Sequence, residues 1–232
     1  TQYRLMALSE NLNEIIETLK ATQRKSGATQ KVTIVAATKT QPFSIIEKTY
    51  SLGVHHIGEN RIQEAAAKFK SFENMPKITK RFIGHLQSNK VNKFFDMFDA
   101  IDSVDSFKLA NKINNKAKDA NKSIPALLEI NTSGDENKKG FKPRVCDEII
   151  RCLNLDNLNV SGLMTLGPFS RDVQRTRKAF VDLRKFSDSL NKELGSEALI
   201  NLSMGMSGDY TIGVEEGSTM IRVGTSLFGA RL

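Results

Sequence analysis

Lys39 is the residue with the clearest chemistry in this sequence. It follows the run Val32-Thr-Ile-Val-Ala-Ala37, within Thr38-Lys39-Thr40. A run that apolar reads as a buried strand. A lysine leaving its end holds an amine at the rim of a core. Desolvation there favours the neutral form, a nucleophile toward aldehydes. A lysine that simply ends a strand in water is the plainer alternative. Two late segments, Leu202-Ser-Met-Gly-Met-Ser-Gly-Asp209 and Ile221-Arg-Val-Gly-Thr225, have the makings of a phosphate cradle. Glycine lets the backbone turn, and successive N–H groups then converge on an anion. Gly224 and Thr225 would add close backbone and hydroxyl contact. Arg222 lies inside the last apolar run, between Ile221 and Val223. Arginine is rarely buried without a partner, and an ion pair with an inward carboxylate such as Glu129 is its structural alternative. His85, beside Gly84, reads more simply as a surface or core-satisfied histidine than as a base. His55 and His56 lack metal-ligand spacing, so no metal is assigned.

The elements that must position these residues alternate regularly. Leu5, Leu8, Leu12, Ile15 and Leu19 recur at helical spacing in a first segment, Tyr3 to about Arg24. Eight short apolar runs follow: Val32–Ala37, Val54–Gly58, Arg81–Leu86, Ala100–Ser103, Ile124–Asn131, Val160–Met164, Ala198–Met204 and Met220–Gly224. Helical stretches between them are clearest at Phe43–Leu52, Ile62–Phe72, Phe107–Ala120, Arg144–Leu153 and Arg171–Leu194, with a short one in Tyr210–Glu216. Such alternation implies a parallel sheet covered by helices. An open doubly wound sheet usually carries its phosphate-binding glycines after the first strand. Here they come after the seventh and eighth runs. That arrangement points to a closed (β/α)8 TIM barrel, with an extra N-terminal helix outside it or capping one end. Its active face is then the carboxyl end of the strands, where Lys39, Glu59, Asn60, His85, Gln87, Asp102, Ser103, Asn131, Ser133, Thr165, Ser203, Ser207, Arg222, Gly224 and Thr225 fall.

Composition bounds the rest. The 232 residues, 39% hydrophobic, suit one domain spanning 1–232, because no linker-like stretch divides them. No stretch is apolar enough to span a bilayer, and the charged N-terminal segment is not a secretory signal. Cys146 and Cys152 fit neither a redox pair nor a zinc knuckle and read as reduced thiols in a cytoplasmic protein. The net charge of +8 is spread in lysines that often sit beside acids, as at Lys116, Lys118 and Asp119. Without an arginine block or interleaved aromatics, a solvated surface is expected, not a nucleic-acid or membrane partner.

The chain closely resembles the pyridoxal phosphate homeostasis proteins (the YggS/PROSC group), which have the fold of the alanine racemase N-terminal domain. The matching segments are Ala37-Thr-Lys-Thr40, Gly58-Glu-Asn-Arg-Ile-Gln-Glu64, Phe82-Ile-Gly-His-Leu-Gln-Ser-Asn-Lys90, Gly162-Leu-Met-Thr165, Leu202-Ser-Met-Gly-Met-Ser207 and Gly217-Ser-Thr-Met-Ile-Arg-Val-Gly-Thr225 with Phe228-Gly229. The resemblance implies that Lys39 holds pyridoxal 5′-phosphate as a Schiff base. It implies that Ser207, Gly224 and Thr225 contact the phosphate and that Arg222 faces the pyridine nitrogen. Asn60 and His85 would lie near the ring or its exit path. Departures are Thr38, where serine is common, and Gly213–Val214, where Ala–Ile is usual and a glycine would loosen the loop. The implied function is to carry or buffer the cofactor, without catalysis, with pyridoxal-phosphate-dependent apoenzymes as partners; separately, a monomer is expected. The alternative is an amino-acid racemase. Racemisation needs proton donors on both faces of the bound substrate. The tyrosines are Tyr3, Tyr50 and Tyr210, and the chain runs out at Leu232, so a second base is not expected.

Overall fold

Each apolar run becomes a strand because its residues alternate between an outer helix and an inner core. In the computed structural model, which describes residues 2–143, 146–169 and 172–229, the elements in order are α1 (Gln2–Ser26), β1 (Thr33–Ala37), α2 (Phe43–Ser51), β2 (His56–Glu59), α3 (Ile62–Lys68), β3 (Thr79–Phe82), α4 (Val91–Met97), β4 (Ala100–Val104), α5 (Phe107–Asp119), β5 (Ile124–Glu129), α6 (Cys146–Leu153), β6 (Leu158–Met164), α7 (Val173–Leu194), β7 (Asn201–Met206), α8 (Tyr210–Glu215), β8 (Met220–Val223) and α9 (Thr225–Phe228). The strands form a closed barrel in chain order, and β8 pairs in parallel with β1.

The expected (β/α)8 architecture is therefore present, with shifted boundaries. The second strand begins at His56, two residues after the expected Val54, and the third stops at Phe82 well before Leu86. Gly84 explains the second shift. A Cβ there would lie 2.3 Å from the Asn60 carbonyl oxygen, so the chain after β3 presses against the loop after β2. Helices α4 and α9 add to those singled out above. Of the expected helix starts, Arg144 and Arg171 lie outside the described residues. α7 begins at Val173, where the Asp172 side chain accepts the Gln174 and Arg175 N–H groups.

Two apolar layers result. Inside, Val35, Leu127, Met164 and Met220 pack together. Outside, Phe82, Ile101 and Leu128 meet the helices. The extra helix α1 lies outside the barrel and does not cap it. Leu8, Leu12, Ile15 and Leu19 cover Ala36, Ile221, Val223, Tyr210 and Leu227. Burial of each such side chain contributes about 1.5–3 kcal/mol. Within the barrel, Arg81 and Asp102 form a bidentate pair at 2.7 and 2.8 Å.

Close backbone contact also sets the β6–β7 ladder. Gly162 pairs with Asn201, and a Cβ at Gly162 would lie 1.9 Å from the Asn201 carbonyl oxygen. Gly162→Ala should therefore lower stability by about 1–3 kcal/mol or more, as overpacking does. Urea denaturation checks this, and an unchanged midpoint would refute the close approach.

Candidate functional site

In a parallel barrel every strand ends at the same mouth. Lys39, Asn60, His85, Ser207, Arg222, Gly224 and Thr225 lie in or after β1, β2, β3, β7 and β8, which are contiguous around the closed sheet. They therefore share one side of the mouth. Lys39 is half-buried in the turn after β1, with Thr38 buried before it. Asn60 follows β2, and its Oδ1 is buried with no hydrogen-bond partner among the described residues. His85, after β3, is exposed, and its Nδ1 lies 2.7 Å from Asp105 Oδ2.

Arg222 is 3% exposed. Its Nη1 donates to Ser203 Oγ at 2.5 Å and its Nη2 to the Thr165 carbonyl at 2.8 Å. Glu129, considered above as an ion-pair partner, acts on it through charge, as do Asp102 and Asp209. Burial lowers the guanidinium pKa and these carboxyls oppose that. Two expected mouth residues are turned to other work. Glu59 is fully buried against Lys68, 2.6 Å away, and Asn131 organises its own loop by donating to the Asp135 and Lys138 carbonyls.

The two glycine-bearing segments meet as expected, through a residue not singled out above. The N–H groups of Gly224 and Ser226 both donate to Ser207 Oγ, each at 3.1 Å, and the Ser226 hydroxyl reaches it at 3.0 Å. Thr225 lies between them, exposed. Two N–H groups converging on one oxygen form the geometry that cradles an anion. Ser226 is legible in principle, since the first amides of a helical turn have no partner within the helix and are free to donate outward. Gly213 tightens the adjoining helix and does not loosen it. A Cβ there would lie 2.7 Å from the Met204 carbonyl oxygen, so α8 rests directly on β7.

The orphan amide oxygen of Asn60, the convergent donors at Gly224 and Ser226 and the buried guanidinium of Arg222 fit a phosphorylated, nitrogen-bearing aromatic aldehyde beside the Lys39 amine. Next to this set, a pocket of about 150 Å³ is lined by Ile83, His85, Glu129, Lys138, Thr165 and Phe169, among others. Among the described residues, no group of histidine, cysteine and carboxylate side chains could hold a metal.

Glu129 is the carboxyl that sequence reasoning noted only as a partner for Arg222. Burial, with the Asp105 charge adding to it and Arg222 opposing, pushes its pKa up to about 7. An unfolded glutamate titrates near 4.5. Between these values the folded state binds the extra proton, so stability falls as pH rises from 4.5 to about 7 and levels off above. Glu129→Gln removes that penalty. The variant should gain on the order of 2–3 kcal/mol at pH 8, a gain that vanishes near pH 4.5. Urea melts at the two pH values measure it, and a pH-independent difference would contradict the assignment.

A family profile described as "Alanine racemase, N-terminal domain" matches residues 6–232. The chain is 36% identical over 228 residues to the pyridoxal phosphate homeostasis protein of Aquifex aeolicus, covering 97% of this chain and 99% of that one. It is 36% identical to the human protein of the same name over 209 residues, 85% of this chain and 76% of that one. PipY of Synechococcus elongatus, solved with pyridoxal phosphate bound, superposes with a TM-score of 0.83 at 33% identity, covering 96% of this chain and 100% of that one. An alanine racemase from Clostridium difficile, at 18% identity and a TM-score of 0.74, shares the fold over 96% of this chain and 57% of its own.

Proposed function

Because the chain belongs to the pyridoxal phosphate homeostasis proteins, built on the alanine racemase N-terminal domain, we propose that it binds pyridoxal 5′-phosphate reversibly through Lys39 and carries or buffers it without catalysis. One juxtaposition supports this reading most. The strand that leads to Lys39 is flanked by β2, which leads to the orphan amide of Asn60, and by β8, which leads to the donors at Gly224 and Ser226. When bound, the cofactor supplies an aldehyde that condenses with a primary amine as one water leaves. The residues divide the remaining work. Ser207, Gly224, Thr225 and Ser226 hold the phosphate. Arg222, a buried cation, would face the pyridine nitrogen and disfavour its protonation, which would make the ring a poorer electron sink. Asn60 orients the ring, and His85, exposed beside the pocket, lines the exit.

The racemase alternative needs a second proton donor across from Lys39. Tyr210 is buried against α1, outside the barrel. Tyr50 packs on His55 and accepts the Lys77 N–H, before β2 and β3 and so at the opposite end from the mouth. The side chain of Tyr3 lies outside the described residues. These placements favour the carrier. The same reading takes residues 1–232 as one domain, a monomer that exchanges cofactor with dependent apoenzymes in the cytoplasm. In its favour, Cys152 is a buried free thiol, and among the described residues no helix is long and apolar enough to cross a membrane.

Borohydride reduction of the loaded protein should fix the cofactor to Lys39, and Lys39→Ala should abolish the attachment. Peptide mapping that finds the label on another lysine would overturn the site.

Incubation of loaded protein with L-amino acids in heavy water should give neither Cα deuterium nor D-enantiomer beyond a free-cofactor control. Sustained turnover that disappears in Lys39→Ala would establish the racemase instead.

A further inference from the structure

Thr40, directly after Lys39, has a φ of 66°, in the left-handed region that a β-branched residue adopts only at a cost. Such a conformation persists where neighbours over-determine it. Here those neighbours come from one short stretch, the end of β2 and one face of α3. Lys68 Nζ donates to the Thr38 carbonyl at 2.8 Å. The Thr40 N–H donates to the Glu64 carboxylate. The Thr38 carbonyl and the Thr40 N–H belong to the two peptide groups that flank the Lys39 Cα. Fixing both planes fixes φ and ψ of Lys39 and hence the direction in which its side chain leaves the backbone.

The clamp is itself braced. Glu64 and Lys68, four residues apart, share a helix face and stand 3.5 Å apart. Glu59 Oε1 lies 2.6 Å from Lys68 Nζ and accepts the Thr38 hydroxyl at 2.5 Å. Glu59 is fully buried and the Lys68 side chain only 10% exposed. The Lys68 ammonium is thus committed to Glu59, Glu64 and the Thr38 carbonyl, and does not compete with Lys39 for an aldehyde.

We propose that Glu59, Glu64 and Lys68 are positioning residues for Lys39: they aim its amine, and so set the strength of its covalent bond to an aldehyde ligand, without touching that ligand. The proposal rests on the reading of Lys39 as the anchor. It separates from a purely structural role through two ligands. Pyridoxal 5′-phosphate can bond to Lys39, whereas pyridoxine 5′-phosphate carries an alcohol in place of the aldehyde and cannot.

The experiment measures both affinities in wild type, Lys68→Met, Lys68→Arg and Glu64→Ala. Loss of a charged hydrogen bond from the clamp should weaken pyridoxal phosphate by about 5- to 50-fold. Pyridoxine phosphate binding should stay unchanged, and Lys68→Arg should recover part of the loss. Lys68→Met leaves Glu59 buried without its cation. Should that variant not fold, Glu59→Gln combined with Lys68→Met, together with Glu64→Ala, carries the test. Equal losses for both ligands would make the clamp an element of the fold alone and overturn the proposal, as would no loss for either. A wild-type protein that traps the cofactor on a lysine other than Lys39 overturns the anchor and the proposal with it. Trapping on Lys39 with undiminished aldehyde affinity in the variants overturns only the proposal.

Discussion

The ladder between β1 and β8 sets Ile34 against Ile221, Val35 against Arg222 and Ala36 against Val223. A sheet closed this way has no edge, and its last strand must lie beside its first. Everything at the mouth depends on that adjacency. It brings the loop after Val223 next to the turn after Ala37, so that Gly224 and the backbone leading to Lys39 become neighbours. A Cβ at Gly224 would stand 3.6 Å from Ala37, an ordinary contact. The same ladder carries Arg222 into the barrel on the opposite parity from Ile221 and Val223, which join the outer cluster against α1. One register thus supplies the outer packing, the buried cation and the cradle.

A cation inside a barrel needs compensation. Arg222 spends its donors on Ser203 Oγ and the Thr165 carbonyl, neither of them charged. Its electrostatic balance comes from Asp102, Glu129 and Asp209 at longer range. Asp102 is already matched to Arg81. Asp209 accepts the Met206 N–H, and burial raises its pKa as it does that of Glu129. The guanidinium keeps its charge while Glu129 and Asp209 are biased toward the proton. The site below the mouth therefore leans positive, which suits a dianionic phosphate ester better than a cationic ligand.

Much of this was legible in the chain. The apolar runs announce strands by composition, and their late glycines distinguish a closed barrel from an open sheet. Lys39, Asn60, His85, Ser207, Arg222 and Gly224 follow from reading strand ends, because a parallel barrel sends all of them to one place. The limits of that reading are equally physical. The end of β3 falls short of the apolar run because Phe82-Ile-Gly-His-Leu is apolar enough for a strand, while the glycine in it serves a close crossing over Asn60. Ser226 was missed because an anion cradle is made of backbone, which any residue supplies. Glu59 was assigned to the mouth by counting strand ends, yet alternation sends it outward to Lys68. The roles of Glu64 and Lys68 are invisible in the sequence, since their partners Thr40 and Thr38 lie 24 and 30 residues upstream and the contacts exist only once β1 and β2 are paired.

α1 adds a constraint in time. Leu8, Leu12, Ile15 and Leu19 pack with Ile221, Val223 and Leu227, and the Asn11 amide donates to the Leu227 carbonyl at 3.0 Å. This segment is synthesised well before Tyr210, Ile221, Val223 and Leu227, on which it packs. Until those emerge, its apolar stripe stays uncovered, and neither the ladder that closes the barrel nor the loop that follows it can form. A nascent chain that has not yet emerged through β8 thus lacks the donors that would hold a phosphorylated ligand. Loading requires the closed barrel, and a product truncated before β8 would expose the apolar stripe of α1 and lack the donors at Gly224 and Ser226.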